Sequence, residues 1–294
     1  MVQRTPDAPA ITAAWQARSR EELLARLEYF SLAPRVVLGL GADVGHSAAA
    51  LARRFGNARV FAVDPALPML QVAGRHLGWR ERFWGGRLGH PFTRIAADAR
   101  ELPLTDGCVD LVFSNCMLQW CNDLDATLAE IRRVCAPRAL FMLTTFGPTT
   151  LRELRAAFAA IDEAPHVNEF VEMHDLGSAL VRAGFEEPVL DVDRHQDWHV
   201  GVLSVMRSLK EIGATNAHPA RSRGLFGRGR LRALESEYAR FANHARELPI
   251  SWEIIHASAF AAPTVTPTSD KSPGYDASRE VVVPLARLGR QTRS

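Results

Sequence analysis

Between residues 36 and 146 the chain alternates five continuous apolar runs with stretches of helical spacing, and this alternation restricts the fold more than any other feature. The runs are RVVLGL, ARVFAVD, FTRIAAD, CVDLVFSN and ALFMLTTF. Unbroken apolar stretches of this kind are what strands buried on both faces require, whereas a strand with one wet face alternates. HSAAALARRF, LPMLQVAGRHL and DLDATLAEIRRVC carry helical spacing between the runs, the last of them opening at an Asn/Asp cap. Strands separated by helices predict an α/β fold with a doubly wound, mostly parallel sheet.

The flanking segments read differently. Residues 1–19 look like a flexible arm, and Leu23, Leu24, Leu27 and Phe30 form a helical stripe that ends before Pro34. Beyond residue 146, a helix is expected from Thr149 to Asp162, and a short one in DLGSALVRAGF, stopped by Gly184. PVLDVDR reads as a strand, residues 200–247 as two helical stretches joined by a glycine- and arginine-rich turn, and ISWEIIHASAF as a late strand. A helical piece inserted between two late strands predicts a cap, about residues 198–247, over the strand ends of a domain spanning 20–261. Residues 262–294 read as a linker and tail, within which REVVVPLARL has strand character.

Cys108, Cys116, Cys121 and Cys135 contain no CxxC pair and lie in apolar segments, which argues against a disulfide framework or a zinc site. The N-terminal stretch lacks a signal-peptide core, and no run of about eighteen apolar residues occurs. These features predict a cytoplasmic protein. With a net charge of +2, the chain as a whole points to no charged partner.

VVLGLGADVGHS, residues 36–47, puts a glycine turn at the first strand-to-helix junction. In an open parallel sheet this junction borders the ligand crevice. The second strand ends at Asp64, where a carboxylate can take the hydroxyls of an adenosine ribose, and the third leads to Asp98. Either aspartate alone is equally a cap for the helix or turn after it. Their joint register with the glycine turn favours an adenosine-containing ligand. The spacing G-x-G-x-x-x-G does not match the dinucleotide register G-x-G-x-x-G, which counts against NAD(P).

Four further stretches carry a resemblance. They are ADARELPLTDGCVDLVFSNCMLQWCNDL, TTFGPTTLRELRAAFAAID, HVNEFVEMHDLGSALVRAGFEEPVLDVDR, and MRSLKEIGATNA with RGLFGRGRLRALE. With them the chain resembles the class I S-adenosylmethionine-dependent methyltransferases, and more narrowly the biotin-pathway malonyl-acyl-carrier-protein O-methyltransferases. The resemblance implies S-adenosylmethionine as cofactor, with Gly41 and Gly45 giving it close backbone approach and Asp64 binding its ribose. It further implies that Asp98 and Ala99 meet the adenine and that Asn115 opens the loop facing the methionine end. Two departures stand out. The family writes D-x-G-x-G-x-G, and here Gly39 stands at the acidic position and Asp43 at the middle glycine. Asp43 is a candidate to supply the missing charge, since aspartate tolerates positive φ better than most residues. The family's N-terminal arm carries a tyrosine, but the tyrosines here are Tyr29, Tyr238 and Tyr275, none clearly equivalent.

Methyl transfer from a sulfonium needs alignment and a dry site, and a carboxylate acceptor needs no general base. Gln119 and Trp120 follow the fourth strand and are placed to contact the acceptor or the sulfonium, although Trp120 is as readily a packing residue. Arg207, Lys210, Arg221, Arg223, Arg228, Arg230 and Arg232 face the single acid Glu211 within residues 207–232. A basic cap suits an acidic acyl carrier protein bearing a malonyl thioester, with Arg207, Lys210, Arg221, Arg223 and Arg228 as its contacts; the alternative is a solvated helix face. No RNA-binding motif accompanies the charge. His166 and His174 lack metal-ligand spacing, and residues 78–92 form an aromatic and basic loop whose role the sequence leaves open. The resemblance implies methylation of malonyl-acyl carrier protein toward pimeloyl and biotin. Methylation of another small carboxylate, or binding without catalysis by an inactive relative, are the alternatives.

Overall fold

The computed structural model describes residues 13–42, 44–73, 91–211 and 227–263. Its sheet has the order β3-β2-β1-β4-β5-β7-β6. The strands are β1 (Val36–Leu40), β2 (Arg59–Val63), β3 (Thr93–Ile95), β4 (Val109–Asn115), β5 (Cys135–Phe146), β6 (Phe185–His199) and β7 (Leu248–Ala261). β1 to β5 are parallel, and β7 runs antiparallel between β5 and β6. Strand order reverses where β1 lies between β2 and β4, so the ligand crevice is expected beyond their carboxyl ends.

Eight helices accompany the sheet among the described residues: α1 (Ala13–Arg26), α2 (His46–Arg54), α3 (Leu67–Val72), α4 (Leu124–Val134), α5 (Arg152–Ala159), α6 (Met173–Arg182), α7 (Val202–Glu211) and α8 (Arg228–Tyr238). None is long and apolar enough to cross a membrane. Alternate residues of the central strands feed two cores. Leu38, Val112, Phe141 and Leu143 pack with Leu128 and Ile131 of α4 and Leu176 and Leu180 of α6. Val37, Leu111, Phe113 and Leu140 pack with Leu23 and Leu27 of the N-terminal segment and with Ala48 and Leu51 of α2. Burial on both sides is why these strands read as continuous apolar runs.

Capping behaves as the sequence indicates at α4, where the Asp123 carboxylate accepts the Ala126 N–H at 2.9 Å. No helix joins β3 to β4. Residues 96–108 instead form turns fastened by Arg133, whose guanidinium donates to the carbonyls of Leu102 and Leu104 and to Glu130 and Asp106. The loop's polar backbone is thus satisfied without helical bonds.

β7 opposes β5 only from Ile254 onward, and residues 248–253 continue beyond Phe146 paired with β6. Six residues of strand extend about 20 Å. This ribbon projects past the carboxyl ends of the parallel strands. A third core forms on it from Val202, Val205 and Leu209 of α7, Leu234 and Tyr238 of α8, Phe158 of α5, and Trp252. The described helices α7 and α8, which lie between β6 and β7 in the chain, therefore pack at the same end of the sheet as the crevice.

α1 begins at Ala13, so part of the expected arm is helical. It docks through polar groups that no apolar stripe reveals. Ser19 is fully buried and donates to Asn115 Oδ1 at 3.0 Å, and Arg26 forms a two-pronged pair with Asp191 at 2.8 and 2.6 Å. Glu22 lies 3.7 Å from His256, whose ring nitrogens have no hydrogen-bond partner among the described residues. Burial, with Arg26 close by, pushes the His256 pKa below the ordinary histidine value, against the opposing pull of Asp191, Glu22 and Asp193. The folded state then holds fewer protons than the unfolded chain once pH falls below about 6.5, so His256 costs stability as the solution is acidified through that range. The expected slope reaches up to about 1.4 kcal/mol per pH unit. Urea midpoints measured between pH 7.5 and 5.5 should fall more steeply for the wild type than for His256→Gln; parallel profiles would contradict this assignment.

Candidate functional site

At the crevice, Gly41 has φ +79°, and a Cβ there would lie 3.0 Å from Met117 Cβ. Its N–H donates to Val63 O at 2.9 Å, folding the turn over the end of β2. Both conditions demand glycine. Gly45 is buried immediately before α2, so the backbone amides of the first helical turn open toward this end of the sheet. Asp64 is 3% exposed. Its Oδ2 accepts the Ala42 N–H at 3.0 Å and its Oδ1 the Ala66 N–H at 2.8 Å. The carboxylate thereby ties the glycine turn to the end of β2, a role beyond ribose binding that spacing alone does not show. At Gly39, in β1, an added Cβ would meet only Phe61 O, at 3.5 Å. A side chain at the acidic position is therefore sterically admissible. Asp43 lies outside the described residues.

Asp98 is about half exposed and accepts from Arg100 three times, through its N–H, Nε and Nη2, at 2.9 to 3.1 Å. These bonds hold its carboxyl below the usual carboxylate range. Ala99 beside it is half-buried against the core. Asn115, expected to face the cofactor, is engaged elsewhere: Oδ1 accepts from Ser19 and Thr144, and Nδ2 donates to Gln16 O at 3.3 Å. It fastens α1 to the ends of β4 and β5.

Gln119 and Trp120 form a 3-10 turn after β4 and both line a cavity of about 380 Å³. The other walls are largely apolar, formed by Phe146, Leu151, Leu154, Phe158, Phe170, Met206, Leu209 and Trp252. Gln119 donates to Cys116 O at 2.5 Å, and its buried Oε1 has no donor among the described residues. Phe146 and Trp252 stack at 5.6 Å, and Trp252 Nε1 donates to Asp197 Oδ2 at 2.8 Å. The wall containing Leu151 is set by Glu253, which accepts the Thr149 N–H at 2.8 Å; a Cβ on Gly147 would come within 2.6 Å of Glu253 Oε2. A second cavity, of about 720 Å³, shares Gln119, Phe158 and His166 with the first but is polar, bordered by Arg155, Asp162, Glu163 and Glu169.

Of the cationic residues expected to meet a carrier, Lys210, Arg207 and Arg228 are all solvent-exposed on α7 and α8, and Lys210 alone of the three also lines the apolar cavity. Arg221 and Arg223 lie outside the described residues, as does most of the loop at 78–92. Arg230 is committed to Asp162, which also takes the His166 Nε2 at 2.7 Å. His166 stacks on Phe158 at 3.9 Å and serves as a cavity wall. Phe146, Phe158 and Trp252 were not singled out by sequence reasoning, because an apolar residue lining a cavity and one filling a core have the same pattern.

The family model for a methyltransferase domain matches residues 38–143, from β1 into β5. The structure of the YcgJ protein from Bacillus subtilis superimposes with a TM-score of 0.57 at 16% identity, over 84% of this chain and 99% of that one, a likeness of fold alone. The malonyl-[acyl-carrier protein] O-methyltransferase of Methylovorus sp. (strain MP688) is 42% identical over 256 residues, 87% of this chain and 84% of that protein. The protein of the same name from Xylella fastidiosa (strain M23) is also 42% identical, over 87% of this chain and 83% of its own length. Identity at this level over 87% of the chain shows that it belongs to the malonyl-[acyl-carrier protein] O-methyltransferase family.

Proposed function

We propose that the protein transfers the methyl group of S-adenosylmethionine to the free carboxylate of a malonyl group carried on an acidic acyl carrier protein. The product is the methyl ester that starts pimeloyl and biotin synthesis in the cytoplasm. The observation that carries this reading is identity with named malonyl-carrier methyltransferases that extends past the methyltransferase domain model, which stops at residue 143, into the segments lining the acceptor cavity.

The residues fit the cofactor. Gly41, where positive φ and the packed Met117 side chain exclude a Cβ, leaves bare backbone at the crevice, and the buried carboxylate of Asp64 stands at the end of the neighbouring strand. Gly41, Gly45, Asp64, Asp98 and Ala99 would hold it, with Asp43 a further candidate from the sequence. When bound, the cofactor supplies an electrophilic methyl group on a sulfonium. A malonyl carboxylate is ionised near neutral pH, so none of the protein's side chains has to remove a proton. The aromatic walls, Phe146, Phe158 and Trp252, exclude water and so leave the carboxylate less solvated than in bulk. Trp120 and Gln119 follow the carboxyl end of β4 and line the cavity, where they would orient the two reactants, the indole face favouring positive charge.

Complementation of a biotin-requiring strain that lacks this methylation step tests the reading in the cell. Growth without biotin is expected from the wild-type gene. Failure to restore growth from a protein that is expressed and folded would oppose it.

A further inference from the structure

A malonyl carboxylate drawn into a cavity walled by phenylalanine, leucine and tryptophan loses its hydration, and an uncompensated carboxylate in such a place is strongly disfavoured. Something must offset that loss while leaving one oxygen open for attack. The described residues lining the apolar cavity include two basic side chains. His166 is committed, bonded to Asp162 and stacked on Phe158. Lys210 is solvent-exposed, so its ammonium is hydrated where it meets the cavity, and it has no carboxylate partner among the described residues. It lies in the last turn of α7, next to Leu209 and one turn after Met206, both of which line the same cavity.

The second cavity is less favourable to an anion. Asp162, Glu163 and Glu169 border it, and the Arg155 guanidinium there is anchored through Nη1 on Pro148 O and Nη2 on Thr150 O and Asn168 O, with its buried Nε unpartnered among the described residues. A negatively charged acyl group is repelled there and attracted on the α7 side.

Resting on the methyl-transfer reading above, we infer that Lys210 is the specificity residue for the acceptor: its ammonium pairs one oxygen of the malonyl carboxylate at the edge of the apolar cavity. An uncharged acyl thioester gains nothing from this contact, so Lys210 selects a dicarboxylic half-thioester over a simple acyl group. The role is distinct from docking the carrier surface, for which Arg207 on the same helix remains exposed.

The test uses the full-length protein, as wild type, Lys210→Gln and Lys210→Arg. Its acceptors are malonyl-carrier protein and malonyl-N-acetylcysteamine, a thioester with neither carrier nor phosphate. Lys210→Gln should raise KM for both malonyl acceptors about 10- to 100-fold, the worth of a charge-assisted hydrogen bond. The affinity for S-adenosylmethionine and the inhibition constant of acetyl-carrier protein should stay unchanged, and Lys210→Arg should recover most of the loss. If only the carrier substrate weakens and the cysteamine thioester does not, Lys210 meets the carrier or its arm phosphate, and the inference is overturned. Calorimetric binding of malonyl-N-acetylcysteamine separates the two readings. Lys210-dependent binding without transfer sinks the methylation proposal and keeps this one, whereas transfer that is indifferent to Lys210 does the reverse.

Discussion

Replacing Asp64 with alanine is expected to weaken S-adenosylmethionine binding at least about 100-fold and to cost about 2–4 kcal/mol of stability. The carboxylate is 3% exposed and accepts two backbone N–H groups, those of Ala42 and Ala66. Alanine leaves both donors without an acceptor in a site too enclosed for water to replace it freely, and each such buried group costs about 1–3 kcal/mol. The turn after β1 also loses its only side-chain tie to β2 among the described hydrogen bonds, so the conformation of the turn around Gly41 is less firmly fixed. Asp64→Asn keeps the shape but turns an amide N–H₂ toward one of those N–H donors, so it should recover little. Calorimetric titration with the cofactor, alongside urea unfolding, checks both quantities. Near-wild-type affinity in Asp64→Ala would show that the turn is held by other means.

The second large effect lies in the acceptor cavity. Trp252 is 2% exposed, stacks on Phe146 and donates to Asp197. Trp252→Ala removes one of the largest buried side chains and is expected to cost about 3–5 kcal/mol, of which the hydrogen bond accounts for only about 1 kcal/mol. Packing is therefore the larger part, and Trp252→Phe should retain most of the stability. Because Trp252 forms a wall of the cavity and not of the cofactor crevice, the alanine variant that remains folded should show a raised KM for the acceptor with an unchanged Kd for the cofactor. A change of less than about 1 kcal/mol in urea unfolding would contradict a packing role of this size.

The central parallel strands β1, β4 and β5 were legible because burial on both faces leaves an unbroken apolar signature. β6 was legible only over PVLDVDR. Its continuation to His199 places His195, Gln196 and Asp197 in a ribbon stabilised by backbone pairing to β7, and that pairing is blind to side-chain polarity. The start of α1 was hidden for a related reason, since Ser19 is buried by hydrogen bonds to Asn115 and Thr144.

At the site, the glycine turn and Asp64 could be placed from spacing, because strand ends in a parallel sheet converge. The direction of the charged cap could not. Counting cations does not distinguish Arg230, neutralised by Asp162, from Lys210 at the cavity wall, and only the packing of α7 and α8 on the β6–β7 ribbon separates them. The engagement of Asn115 with α1 was likewise invisible, since its partners are about a hundred residues away at Gln16 and Ser19 and twenty-nine away at Thr144.

The most direct measurement of the central claim is mass spectrometry of malonyl-carrier protein after incubation with the enzyme and S-adenosylmethionine bearing a deuterated methyl group. One labelled methyl group per carrier is expected, located by fragmentation on the distal carboxylate of the malonyl group and released as methanol by mild base. An unlabelled carrier in the presence of folded, cofactor-binding enzyme, or a label on the carrier polypeptide, would contradict it.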